Sequence, residues 1–127
     1  MHINKSDSQR VKVGAIIVSR SNSSRLKNKA FLKIGNLTSI EHCIKNTQRM
    51  RYLDEVILAT TNLSVDKRYK SYVNKIGAKI FFGDPLNIIE RCYLAAKKFK
   101  LDMIVRVTGD CPYISKEILE ELLFDHL

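Results

Sequence analysis

The sequence predicts an open, mostly parallel α/β sheet covered by helices on both faces, and three observations carry that prediction. Short apolar runs of strand length alternate with amphipathic stretches of helix length, a rhythm that requires parallel pairing and right-handed crossovers. The first run, "VKVGAIIVS" (Val11–Ser19), is nearly continuously apolar, as a strand buried on both faces must be. The polar clusters of the chain fall just beyond the ends of the predicted strands, where open α/β sheets collect their ligands.

Each element has its own warrant. After the first strand, "TSIEHCIKNTQRM" places Thr38 and Glu41 in capping-box spacing, with Ile40, Cys43, Ile44 and Thr47 on one helical face. "EVILATT" is the second strand. "SVDKRYKSYVNKIG" reads as a helix with Val65, Tyr69, Val73 and Ile76 inward, closed by Gly77 in the left-handed conformation. "AKIFFG" is the third strand. "PLNIIERCYLAAKKFK" reads as a helix with Pro85 in its first turn and Leu86, Ile89, Cys92, Tyr93 and Ala96 facing the core. "DMIVRVT" is the fourth strand, and Ser115 caps a final helix, "KEILEELLFDHL". Residues 1–127 read as one domain with a polar tail over 1–10.

The strand ends nominate four loops: Ser19–Lys29, Thr60–Asn62, Gly83–Asp84 and Thr108–Pro112. The first holds no glycine, and neither Gly-x-Gly-x-x-Gly nor Gly-x-x-x-x-Gly-Lys-Ser/Thr occurs in the chain. Side chains must then do what backbone amides do in a glycine-rich phosphate loop. Arginine offers a fork of donors to phosphate oxygens, and lysine a mobile point charge. Arg20, Arg25 and Lys29 with Ser23 and Ser24 suit a triphosphate.

Charge concentrates around this loop. Through Tyr52 there are 11 lysines and arginines against 2 acids; from Leu53 onward there are 11 of each, so the whole net +9 belongs to the first part. Such a field fits an anionic partner or a solvated basic face. A nucleic-acid surface is the weaker reading, because no helix carries a basic stripe and no aromatic platform interleaves the charges. No apolar run reaches membrane-spanning length. Three separated cysteines without a Cys-x-x-Cys pair, and a polar start without a secretion signal, point to the cytoplasm.

"SRSNSSRLKNKAFLKIGN" resembles the Ala-Arg-x-x-Ser-x-Arg-Leu-Pro-x-Lys signature of sugar-acid cytidylyltransferases, the acylneuraminate and 3-deoxy-manno-octulosonate enzymes and above all their spore-coat polysaccharide relatives. "DEVILATTN", "FFGDPLNIIERCYLAA" and "IVRVTGDCPYI" extend the likeness in the right order. It implies a nucleotide-diphospho-sugar transferase fold, shortened, with its first four strands in the order 3-2-1-4. It also implies transfer of CMP from CTP to a sugar acid, for surface polysaccharide or glycan synthesis, with release of pyrophosphate and help from Mg²⁺. Arg20, Ser23, Ser24, Arg25 and Lys29 would line the triphosphate, with Arg25 and Lys29 catalytic. Asp110 would be catalytic and bind the metal. Thr60, Thr61, Asn62, Gly83 and Arg91 would meet the nucleotide.

Blander roles stand beside these. Asp110 can cap a turn, Thr60 and Thr61 can simply end a strand, and Arg91 reads equally well as a surface arginine. Arg106, inside a strand, reads as half of a structural ion pair. Cys111 lacks a partner base and reads as a small buried residue. Lys27 and Asn28 stand where the family usually has Pro-Gly, which puts the loop's rigidity in question. The likeness covers about the first half of a family domain. A homo-oligomer, or a partner chain supplying the other half, is therefore expected, and a non-catalytic binding or assembly module on the same half-fold is the alternative.

Overall fold

The structure is a computed structural model that describes residues 11–21 and 28–108. The first strand, β1 (Val13–Val18), leads through a turn of 3-10 helix (Lys29–Phe31) into a small hairpin, β2 (Lys33–Ile34) and β3 (Leu37–Thr38). Next come α1 (Ser39–Gln48), β4 (Glu55–Thr61), a 3-10 segment (Ser64–Arg68) running into α2 (Tyr69–Lys75), and β5 (Lys79–Gly83). The described chain ends with α3 (Ile88–Lys98) and β6 (Met103–Thr108). The expected helix after Ser115 lies outside the described residues, as does the polar tail over 1–10.

The main sheet has the order β5-β4-β1-β6 and every pairing is parallel. Counted among the four long strands this is the expected order 3-2-1-4. β1 is central, with Ile16 opposite both Ile57 and Arg106. Its alternation feeds two cores. Ala15 and Ile17, with Val56 and Leu58 of β4, pack against Ile40, Cys43 and Ile44 of α1 and Tyr69 and Val73 of α2. Ile16, with Ile57 and Ala59, packs on the other face against Cys92 and Ala95 of α3. Covering on both faces is why β1 reads as a continuous apolar run. Carboxylates fasten its start: Asp54 accepts from the Val13 amide at 2.9 Å and Asp102 from the Lys12 amide at 2.8 Å. The hairpin was not expected from the sequence; Gly35, at φ 71, supplies the positive φ its two-residue turn needs.

The α1 face is the expected one, and its capping box is complete. Glu41 N–H donates to Thr38 Oγ1 at 3.3 Å, while Thr38 N–H and its hydroxyl donate to Glu41 Oε1 at 3.0 and 2.9 Å. Burial works to raise the Glu41 carboxyl pKa, but the Thr38 hydrogen bonds and the charges of Lys75 and Lys45 outweigh it, and the net shift is downward. A carboxylate with a depressed folded pKa stabilises the fold above its unfolded pKa of about 4.3 and loses that contribution as pH falls below it. Replacing Thr38 by alanine should therefore cost about 1 kcal/mol at neutral pH. In urea melts the gap from wild type should narrow below about pH 4. A gap independent of pH would contradict this account of the cap.

Two helices depart from the expected faces. The segment opening at Ser64 is a 3-10 turn through Arg68, and its tighter winding turns Val65 outward (45% exposed) and Asp66 inward (0% exposed). Tyr69 and Val73 are buried as expected, and Gly77, at φ 74, takes the left-handed position after the helix. In α3 the start moves to Ile88, with Asn87 as N-cap accepting from the Glu90 amide at 2.9 Å. Leu86, Ile89 and Tyr93, expected in the core, are exposed, and the buried face is Arg91, Cys92 and Ala95. Among the described residues no helix is long and apolar enough to cross a membrane.

Candidate nucleotide-binding cleft

At the carboxyl ends of β1 and β6 lies a cavity of about 400 Å³, lined by Val18, Ser19, Arg20, Pro85, Leu86, Ile88, Arg91, Arg106 and Thr108. That volume is within the range of small-molecule sites. Three of the lining side chains are guanidinium groups, two are hydroxyls, and none is a carboxylate. A lining of this composition attracts an anion with several oxygens, and arginine forks match phosphate geometry.

Arg91 is the most constrained of the three. It is 1% exposed and donates from Nε and Nη2 to the Asp84 carbonyl (3.2 and 3.1 Å), from Nη2 to the Pro85 carbonyl (3.3 Å), and from Nη1 to the Ala59 carbonyl (3.5 Å). Burial pushes its pKa below the ordinary arginine value, Cys92 opposes this, and the nearby charge of Arg20 adds to it. An arginine remains protonated in proteins all the same. Its stem lies over Gly83, where an added Cβ would stand 2.7 Å from Arg91 Cγ. Gly83 is thus the floor that lets Arg91 enter. Burial likewise pushes the Cys92 thiol up, with Arg106 and Arg91 pulling the other way, so it is a packing residue rather than a thiolate.

Arg20 and Arg106 are exposed, and neither side chain has a hydrogen bond or ion pair among the described residues. The structural ion pair expected for Arg106 is therefore not formed there; its strand position delivers it to the cleft instead. A lone cation in an otherwise apolar strand was the available signal.

The remaining expected site residues divide into two groups. Lys29 is exposed at the start of its 3-10 turn. Thr60 and Thr61 end β4 fully buried, and the Thr61 hydroxyl donates to Asp66 Oδ2. Asn62 is exposed, its amide donating to the Gly83 carbonyl at 2.8 Å, which joins the β4 and β5 ends. Arg20 and Arg91 are thus brought together in the cleft, while the Thr60–Asn62 group sits at the next strand end. Ser23, Ser24, Arg25, Cys111 and the metal candidate Asp110 lie outside the described residues.

Mg²⁺ prefers hard oxygen ligands, usually carboxylates with phosphates and water. The described cleft lining does not fit it, and no group of three or more His, Cys, Asp or Glu able to hold a metal occurs among the described residues.

The cytidylyltransferase family matches residues 14–127. This chain belongs to that family. An uncharacterized protein of Methanocaldococcus jannaschii is 35% identical over 111 residues, covering 87% of this chain and 46% of that protein. A cytidylyltransferase of Leptospira borgpetersenii superposes with a TM-score of 0.86 at 33% identity, over 93% of this chain and 49% of the other. A CMP:2-keto-3-deoxy-manno-octonic acid synthetase complexed with CTP superposes at 0.79 and 27% identity, over 90% of this chain and 46% of the other. The present cytidylyltransferase-family chain thus spans about half the length of the relatives it matches, with the nucleotidyltransferase fold correspondingly shortened.

Proposed function

We propose that residues 1–127 form one partial nucleotidyltransferase domain that binds CTP in the three-arginine cleft and serves transfer of CMP to a sugar acid in surface polysaccharide or glycan synthesis. The observation that carries this reading is a cleft at the strand ends lined by Arg20, Arg91 and Arg106 and by no acid. Its support is family membership and the likeness to a synthetase complexed with CTP. In this reading Arg20, Ser23, Ser24, Arg25 and Lys29 wrap the triphosphate, and Asn62, the exposed member of its group, reaches the base or ribose. A hydroxyl of the acceptor attacks the α-phosphorus in line. The bond to the departing pyrophosphate breaks, and Arg25 and Lys29 offset the charge building on it. Mg²⁺ would draw on Asp110 and the phosphates themselves and would supply further charge neutralisation. The cytoplasm is the proposed setting.

Calorimetric titration with CTP, ATP, GTP and UTP, with and without Mg²⁺, tests the reading. Selective CTP binding strengthened by Mg²⁺ is expected, with Arg25→Ala weakening it more than Lys67→Ala, whose lysine sits over the Phe82 ring. Equal losses, or a steep salt-dependent affinity for any polyanion, would mark a generic basic surface instead. Pyrophosphate release assayed with sugar acids separates the two classes of activity: CTP binding without turnover favours the binding module.

The half-length match also bears on assembly. β6 is an edge strand of the sheet among the described residues, and Ile104 is 39% exposed. Unpaired apolar edges template association. Self-association or partner binding through Met103–Val107 follows as a proposal. Sedimentation at micromolar concentration should show it, and Val105→Lys should reduce it; a clean monomer throughout would refute it.

A further inference from the structure

A segment from elsewhere in the chain fixes the residues on both sides of Arg20. Asp66, fully buried in the 3-10 turn after β4, accepts from the Ser21 amide at 2.9 Å and from the Ser21 hydroxyl, and on its other oxygen from the Thr61 hydroxyl. Further along, the Tyr69 hydroxyl meets Ser19 Oγ at 2.8 Å, while its buried ring packs on Phe31 at 4.7 Å. The Ser19 amide donates to the Ala59 carbonyl at 3.4 Å, the same carbonyl that Arg91 Nη1 reaches at 3.5 Å. Arg20 stands between the two held serines and lines the cavity together with Val18. Neither Asp66 nor Tyr69 is in that lining.

We propose that Asp66 and Tyr69 are positioning residues that brace the chain on either side of Arg20 and so hold this arginine beside Arg91 for the phosphate groups of a nucleotide. The proposal rests on the nucleotide reading of the cleft. The charges of Arg20 and Arg91 oppose each other. On a loose backbone an exposed arginine moves off from a like charge, and bringing it back is an ordering cost set against each binding event. Tying Ser19 to Tyr69 and Ser21 to Asp66 fixes where the Arg20 side chain begins. The shared Ala59 carbonyl refers both arginines to one point on β4. The residue types suit the task. A carboxylate offers acceptors only, so Asp66 takes an amide and two hydroxyls together. Its charge also reaches Arg91, where it offsets part of the repulsion. Tyr69 anchors its hydroxyl through a ring that belongs to the core.

The brace can be tested with and without a ligand. Tyr69→Phe removes the hydroxyl and keeps the ring, and Asp66→Asn puts a donor where the Ser21 and Thr61 donors converge. In the free chain, NMR relaxation should show the Arg20 amide more mobile in each variant, while Ile57 in the sheet centre is unchanged. Calorimetry with CTP and with inorganic tripolyphosphate should show the same loss for both anions. A braced population reduced to about a fifth lowers apparent affinity about fivefold. The deciding readout is coupling to Arg20, which a merely structural role would not produce. On an Arg20→Gln background, Tyr69→Phe and Asp66→Asn should weaken binding no further than Arg20→Gln does alone. A full additive loss on that background, or an unchanged Arg20 amide, would overturn the brace. If Asp66→Asn fails to fold, Tyr69→Phe still decides. A wild-type chain that binds neither anion overturns the nucleotide reading and with it the brace's role in affinity, while relaxation at Arg20 still reports whether the brace forms.

Discussion

Truncating Arg91 to alanine is expected to cost about 3 kcal/mol of folding stability. That is a large share of the roughly 5–15 kcal/mol available to a domain. The change removes the largest fully buried side chain among the described residues and the donors to the carbonyls of Asp84, Pro85 and Ala59. A buried acceptor left without a donor costs about 1–3 kcal/mol, and cleft water can replace only some of the lost bonds. Arg91→Met should lose less, since it keeps the stem packed over Gly83. Arg91→Lys should fall between the two, because its three donors sit on one nitrogen and lack the planar fork that reaches the Ala59 and Asp84 carbonyls from separate nitrogens. Urea unfolding measures all three. A loss below about 0.5 kcal/mol for alanine, the range of an ordinary surface change, would show that the Arg91 contacts do not hold the β4 and β5 ends together.

Arg20 and Arg106 should behave in the opposite way. Neither side chain has a hydrogen-bond or ion-pair partner among the described residues, so Arg20→Gln and Arg106→Gln should leave stability within about 0.5 kcal/mol of wild type. Each hydrogen bond from a charged group to phosphate is worth about 1.5–3 kcal/mol. CTP affinity should therefore drop by about tenfold to a hundredfold per substitution. The two losses should be larger than that of Lys67→Ala by calorimetry at fixed salt. Loss of stability without loss of affinity would return Arg106 to the structural role its strand position suggested.

The strands were legible because each is an apolar run bounded by polar residues, and "EVILATT" matches β4 residue for residue. The α1 cap was legible because both of its partners are three residues apart. α3 shows where local pattern stops. Periodicity assigns Leu86, Ile89 and Tyr93 to the core because they are apolar, whereas the buried face carries Arg91, whose donors are satisfied by carbonyls at the ends of β4 and β5. Nothing within one helical turn announces that. Asp66 is similar: its partner Ser21 is 45 residues away, and a polar residue in a polar segment gives no sign of burial. The loop's departure from Pro-Gly was visible, but not that Asn28 would take φ 63 with its side chain accepting from Arg68 on another element.

The central place of β1 also governs how the chain is made. No two strands of the main sheet can close as a local hairpin. β1 must wait for β4, some 40 residues later (Gly14 opposite Glu55), and then for β6, with Val13 opposite Met103. At about 5–20 residues per second of synthesis, the most apolar strand emerges roughly 5–20 s before its last neighbour exists. A nascent chain halted between them would expose Ala15 through Val18 along one unsatisfied edge. Such high sequence separation predicts slow refolding for a chain of this size. It also makes the interval before β6 appears the one in which a ribosome-associated chaperone would have most to shield.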